Sequence, residues 1–200
     1  MKMKISERLL LMATALLASY QVVVGVEQLD TLAMISYTIA FGVLLVACLL
    51  LFILGWEILD SPLVIIVSTI IPLCLSLGII AEYRPQYTNF YLFYTIVGFI
   101  GVFITRILTP GRAAVIVLAI VHGISGLTIT FTPIVLTISG ETSPIFILVA
   151  LGGAFIGIGG LLLSFLKTGS SFITRKQIIS LLPWLLLFMT LCYVVGFTRN

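Results

Sequence analysis

Charge is what this sequence has least of. Of its 200 residues 8% are charged and one is histidine, where an ordinary soluble domain is about 25% charged. That scarcity excludes a soluble globular domain, a disordered chain and a basic nucleic-acid-binding surface. Cysteine is scarce too: Cys48, Cys74 and Cys192 lie inside apolar runs without CxxC spacing, so neither a disulfide framework nor a metal site is expected, and they read as small apolar residues. Long polar connections are also missing. The longest runs from Lys167 to Gln177, which leaves no room for a soluble catalytic or receptor domain between the apolar segments.

What the chain has instead is apolar length, with 61% hydrophobic residues and a mean hydropathy of +1.31. A helix needs about 20 apolar residues to cross roughly 30 Å of hydrocarbon. The runs predict spans over Leu9 to Gly25, Leu32 to Gly55, Pro62 to Ala81, Phe90 to Leu108, Ala113 to Ile138, Pro144 to Leu166 and Ile178 to Phe197. The expectation is an all-α integral membrane protein, one seven-helix domain over residues 1–200, arranged as three consecutive helical hairpins plus a C-terminal helix. Its first partner is the lipid bilayer, and nucleic acid is not one. The similar spacing of the three hairpins is compatible with parallel internal repeats and equally with any compact bundle. The basic residues before the first span imitate a signal peptide, but apolar spans follow without a cleavage site, so that span reads as retained.

Basic residues collect on the cytoplasmic side of membrane proteins. With seven spans, Lys2, Lys4, Arg8, Arg106, Arg112, Lys167, Arg175 and Lys176 share the side of the N-terminus, while Arg84 and Arg199 fall on the other with Glu27, Asp30, Glu82 and Glu141. The N-terminus is therefore expected inside and the C-terminus outside, in the cytoplasmic (inner) membrane of a prokaryote.

Local punctuation agrees with the spans. Ser61-Pro62 and Ser143-Pro144 place a capping hydroxyl before a proline at the first helical position, and Thr109-Pro110-Gly111 predicts a tight reversal. Pro72 predicts a loosened backbone near Ser68, with Ser68 or Ser76 able to re-satisfy it, as a plain kink or as a hinge. Pro133 predicts that the last turns of the fifth span bend or lie in the interface. The sixth span carries Gly152, Gly153, Gly157, Gly159 and Gly160, including the GxxxG of Gly153 and Gly157. Because packing drives helix association in lipid, Gly153, Gly157 and Gly160 are expected at a close contact within the bundle or in a homo-oligomer or membrane complex. Tyr83, Tyr87, Tyr91 and Tyr94 cluster where an interfacial aromatic belt is expected.

His122 is the position richest in chemistry. It lies ten residues beyond Arg112, about 15 Å along a helix and hence near the midplane, where an ionisable group is a functional candidate. The alternatives are a proton relay or ligand contact and a neutral ring bonded to a carbonyl or hydroxyl. Ser125 follows on the same helix. A haem would need Met12, Met34 or Met189 as a second axial ligand, and no cofactor is assigned. Glu57 and Asp60, three residues apart on the inner side, could share a cation or proton; alternatively Asp60 caps the third helix and Glu57 pairs with Arg106 or Arg112. Glu82 and Arg84 read first as an interfacial pair.

Gly123-Ile124-Ser125-Gly126 matches the GxSG around the serine of rhomboid intramembrane proteases. The activating histidine of a later helix has no counterpart here, Ala150 standing at the corresponding position, and protease activity is rejected. The stretch from Arg112 to Lys167, with Gly123, Gly126, Pro133, Gly152, Gly153, Gly157 and Gly160, resembles the helix-pair unit of the HdeD-like membrane proteins. That resemblance implies a small polytopic, stress-linked protein without established catalytic residues; the seventh span departs from that family's six.

These features lead to a non-enzymatic polytopic protein, structural, stress-related or an accessory subunit. The alternative is a small transporter or proton-coupled channel using His122, with an intramembrane enzyme as the third reading.

Overall fold

The computed structural model describes residues 3–26, 30–109, 111–168 and 174–198, the side chains of 161–168 and of Arg175 excepted. Lys2, Glu27, Pro110, Arg199 and the side chains of Lys167 and Arg175, all used above, lie outside the described residues. The described chain is helical: α1 (Ile5–Val24), α2 (Thr31–Leu54), α3 (Pro62–Ser68), α4 (Ile70–Tyr83), α5 (Thr88–Ile107), α6 (Arg112–Ile138), α7 (Ile147–Thr168) and α8 (Arg175–Gly196), joined in part by short 3-10 turns. Helices α3 and α4 are the two halves of the third span. Among the described residues six spans are long and apolar enough to cross a membrane, and α7, 22 residues long with a described apolar stretch over Pro144–Gly160, makes the seventh. The all-α, seven-helix membrane reading holds, and the chain is a multi-pass membrane protein.

Consecutive spans pack as hairpins: α1 on α2, α4 on α5, and α6 on α7. The contacts between hairpins close a ring, because α2 meets α4, α4 meets α6, α7 meets α8, and α8 returns to α1. Helix α5 stands outside that ring against α4 and α6.

Missing side chains set several of these contacts. A Cβ on Gly78 of α4 would lie 2.6 Å from the Tyr37 ring of α2, one on Gly152 of α7 would lie 2.5 Å from the Tyr193 ring of α8, and one on Gly153 would meet Ile129 and Thr130 of α6 at 2.8–3.0 Å. Aromatic rings thus lie in glycine notches, and the backbones approach as lipid-embedded helices require. Tyr37, Phe41, Phe146, Tyr193 and Phe197 form a continuous aromatic cluster in the buried core, with ring centroids 4.7–6.3 Å apart. On the N-terminal face, Glu7 of α1 is buried, and its Oε2 accepts from the indole Nε1 of Trp56 at 3.2 Å and from the backbone of Lys4 at 2.9 Å.

Several local expectations change. The third span breaks at Thr69, three residues before Pro72. Neither serine re-satisfies the carbonyl that the proline frees: Ser68 Oγ donates to Ile65 O, and Ser76 Oγ to Pro72 O and Leu73 O. Helix α6 runs as helix through Pro133 to Ile138. Asp60 does not cap α3; Ser61 occupies the N-cap, and Asp60 ends the 3-10 turn Trp56–Asp60. Ser143-Pro144 opens a 3-10 turn ahead of α7.

Arg84 does not pair with Glu82. Two residues apart in a chain that leaves the helix at Arg84, the side chains take different partners. Arg84 Nη1 and Nη2 donate to Glu141 Oε2 and Oε1 at 2.7 and 3.0 Å, a two-pronged bridge from the end of α4 to the turn between α6 and α7. Glu82 Oε2 accepts from the backbone N–H of Asp30, whose own carboxylate caps α2 at Leu32 N.

Two outcomes follow for stability. Gly152→Ala should lower it by about 1–3 kcal/mol through overpacking against Tyr193, while Gly157→Ala, where a Cβ meets nothing within 4 Å, should be neutral or stabilising; thermal unfolding in one detergent compares them. The hydrogen bonds from Arg84 and then Ser139 push the Glu141 carboxyl down to about 2 from 4.5. A depressed carboxyl contributes stability above its unfolded value and loses it as pH falls through the folded one. The melting-temperature difference between the wild type and Glu141→Gln should therefore be constant above about pH 5 and vanish toward pH 2; a constant difference over the whole range would refute the bridge.

Candidate functional site

His122 lies in the middle of α6. Its Nδ1 is 3.2 Å from Leu118 O, one helical turn earlier. A carbonyl oxygen can only accept, so Nδ1 carries the proton in this contact and Nε2 presents a lone pair. The described residues give Nε2 no hydrogen bond. Across from the ring is Gly160 of α7, where a Cβ would lie 3.5 Å from the ring's Cδ2. An alanine methyl there would be in ordinary van der Waals contact with the imidazole.

The ring stands between two cavities. The first, about 500 Å³, lies along α6 and α7, with Ile65 and Ser68 contributed by α3 and Arg106 by the last turn of α5. Its walls owe their separation to glycine: at Gly123, Gly126 and Gly157 a Cβ would meet nothing within 4 Å. Ala119, Gly123, Leu127, Ala154 and Ile158 belong to the same walls and are themselves exposed on the outer surface of the bundle, so the cavity opens sideways, toward lipid. The second, about 100 Å³, lies among α4, α7 and α8 and is lined by apolar groups such as Ile71, Leu182 and Met189. Ser68, His122 and Gly160 line both. The break at Thr69 places Ser68 there, at the end of a half-span rather than in a continuous helix.

Among the described residues Arg106 is the charged group on the first cavity. It is half-buried, and its Nε is enclosed without a hydrogen-bond partner among them. The ion pair among the described residues is Arg84 with Glu141, at the other face of the bundle. Glu57 is exposed on its 3-10 turn and does not pair with Arg106 or Arg112 among the described residues.

Ser125 faces elsewhere. It is fully buried against α5, where the Tyr94 hydroxyl lies 2.8 Å from Val121 O and 3.1 Å from Ser125 Oγ. Tyr94 has one proton to give and the carbonyl can only accept, so Ser125 donates to the tyrosine oxygen. Tyr91 donates in the same way to Thr128 Oγ1 at 3.0 Å. These two tyrosines join α5 to α6 instead of forming an outer belt; Tyr87 is the exposed member of the group.

Of the sequence candidates, His122 and Gly160 therefore share the site, Gly157 lines it as empty space rather than as a packing contact, and Gly153 packs on α6. Ser125, Glu57, Asp60 and Glu82 do not line either cavity. Sequence reading missed Arg106 as a site residue, counting it as one inner-side base among several; the signal was an arginine still inside an apolar run, with Gly101 and Gly98 about one and two turns before it. It also missed Glu7, a carboxylate in the first turn of α1, just ahead of the first apolar run. No protein-family model, curated protein or solved structure matches the chain.

The tyrosine contacts give a stability test. Tyr94→Phe should cost about 0.5–1.5 kcal/mol, and Ser125→Ala less, because Tyr94 keeps its bond to Val121; equal losses, read by thermal unfolding, would contradict the donor assignment.

Proposed function

We propose that this multi-pass protein binds a small, mainly apolar molecule inside the bilayer and acts as a membrane-embedded binding protein of transporter type. The observation that carries the reading is the glycine-walled cavity with the acceptor of His122 on it, unpartnered among the described residues. Its volume of about 500 Å³ falls in the range of roughly 300–1,000 Å³ typical of ligand pockets. An apolar wall with a few polar groups is how such sites combine affinity with orientation. The second cavity on the far side of the ring supports a path from the lipid-facing groove toward the bundle interior, with His122 and Gly160 between.

A structural or accessory-subunit role has weaker support, since Gly152 and Gly153 of α7 are used within the chain's own bundle, against α8 and α6. Kinship with the HdeD-like proteins is a further part of this proposal, supported by the packing of α6 and α7 as one helix pair. The proposed location is a prokaryotic cytoplasmic membrane with the N-terminus inside, supported by Lys4, Arg8, Arg106, Arg112 and Lys176 on one face against Arg84 on the other.

Native mass spectrometry of the protein released from lipid nanodiscs tests the reading. The wild type should retain a small molecule, Gly157→Leu should lose it by filling the cavity, and His122→Ala should weaken retention while Glu57→Gln leaves it unchanged. Equal spectra for wild type and Gly157→Leu would refute the cavity as a ligand site.

A further inference from the structure

The polar groups on the first cavity are distributed unevenly along it. From Val115 to Thr130 its α6 wall runs about 22 Å along the helix axis. Near the N-terminal end of α6 stands Arg106, which can only donate; near the middle stands His122, whose Nε2, unpartnered among the described residues, can only accept in the tautomer fixed by Leu118. A negatively charged group is therefore favoured beside Arg106 and repelled at the His122 lone pair. Apart from the hydroxyls of Ser68 and Thr130, the space left by Gly123, Gly126 and Gly157 is apolar, and it is open to lipid on one side.

Arginine is also poorly matched to its own surroundings. Its Nε is enclosed without an acceptor among the described residues, and an enclosed donor without a partner is costly. Two acids on its face are turned to other surroundings: Glu7 is held by Trp56 and Lys4, and Glu57 is exposed on a turn. The exposed Arg112 and Lys176 add positive charge at this end of the bundle, so the field there favours an anion arriving from the interface.

Resting on the ligand-binding reading above, we infer that the ligand is a single-chain anionic amphiphile, its carboxylate or phosphate monoester held by Arg106 and its chain lying along the glycine groove of α6 and α7. One groove of about 500 Å³ between two helices suits one chain. The lateral opening lets the chain enter from the bilayer while its head stays at the membrane surface, so no charge has to cross hydrocarbon during binding.

Photolabelling in phosphatidylcholine nanodiscs tests this, using an oleate that carries a diazirine in its chain and the methyl ester of the same molecule. Oleate should label α6 and α7 about tenfold more than the ester, the loss expected when one charge-assisted hydrogen bond is removed. Arg106→Gln should bring oleate down to the ester's level, Arg106→Lys should keep part of the preference, and Gly157→Leu should abolish labelling by both. Thermal unfolding of each variant separates a lost ligand contact from a lost fold. Equal labelling by acid and ester, still blocked by Gly157→Leu, would overturn the anionic head while leaving the cavity a ligand site. Labelling by neither above the Gly157→Leu background would overturn the ligand-binding reading itself. Suppression of oleate labelling in phosphatidylglycerol nanodiscs would overturn the single-chain ligand in favour of a two-chain anionic lipid.

Discussion

Helices in hydrocarbon gain nothing from hiding apolar surface, so they associate where their backbones can come close. In this chain the close approach of α7 to its neighbours governs the rest. Gly152 admits the Tyr193 ring of α8, and Gly153 rests on Ile129 and Thr130 of α6. One side of α7 is thereby fixed to two helices at once in its first half, near Pro144–Phe146. Further along, Gly160 lies against the His122 ring, whereas Gly157 lines a cavity together with Gly123 and Gly126 of α6, where small residues on both helices leave a gap instead of a contact. One compositional habit, glycine in a span, thus yields tight packing where a large side chain faces it and a cavity where another glycine does.

That distinction explains what was legible in the sequence. The seven apolar runs and their turns could be read because span length is set by bilayer thickness, a property of each segment alone. Which spans touch could not, since any apolar face packs on any other; the position of α5 outside the ring has no signature in its residues. His122 was legible as a polar group in the middle of an apolar span, which is where it stands in α6. Ser125 was grouped with it on spacing, yet three residues turn a helix by about 300°, enough for Ser125 to meet Tyr94 of α5 while His122 faces α7.

The charged residues were misread for a related reason. Glu82 and Arg84 are neighbours in sequence, but the chain leaves the helix between them, and each carboxylate and guanidinium finds a partner more than fifty residues away. Arg106 reads as an ordinary inner-side base, because its long apolar stem lets the head reach water or a cavity equally well. Only the arrangement of α5 against α6 decides which.

The return of α8 to α1 has a consequence for how the chain comes into being. The ring is closed by its first and last segments, and Phe197, one residue past the end of α8, joins Tyr37, Phe41 and Phe146 in the aromatic cluster. During synthesis the buried faces of α1, with Ala15 and Ala18, and of α2 must wait beside lipid or an insertion factor until α8 leaves the ribosome. Contacts of such long sequence separation form late and slowly. Quality control in the membrane therefore meets these helices as an open crescent first, and the ring is complete only once α8 has joined α1 and α7.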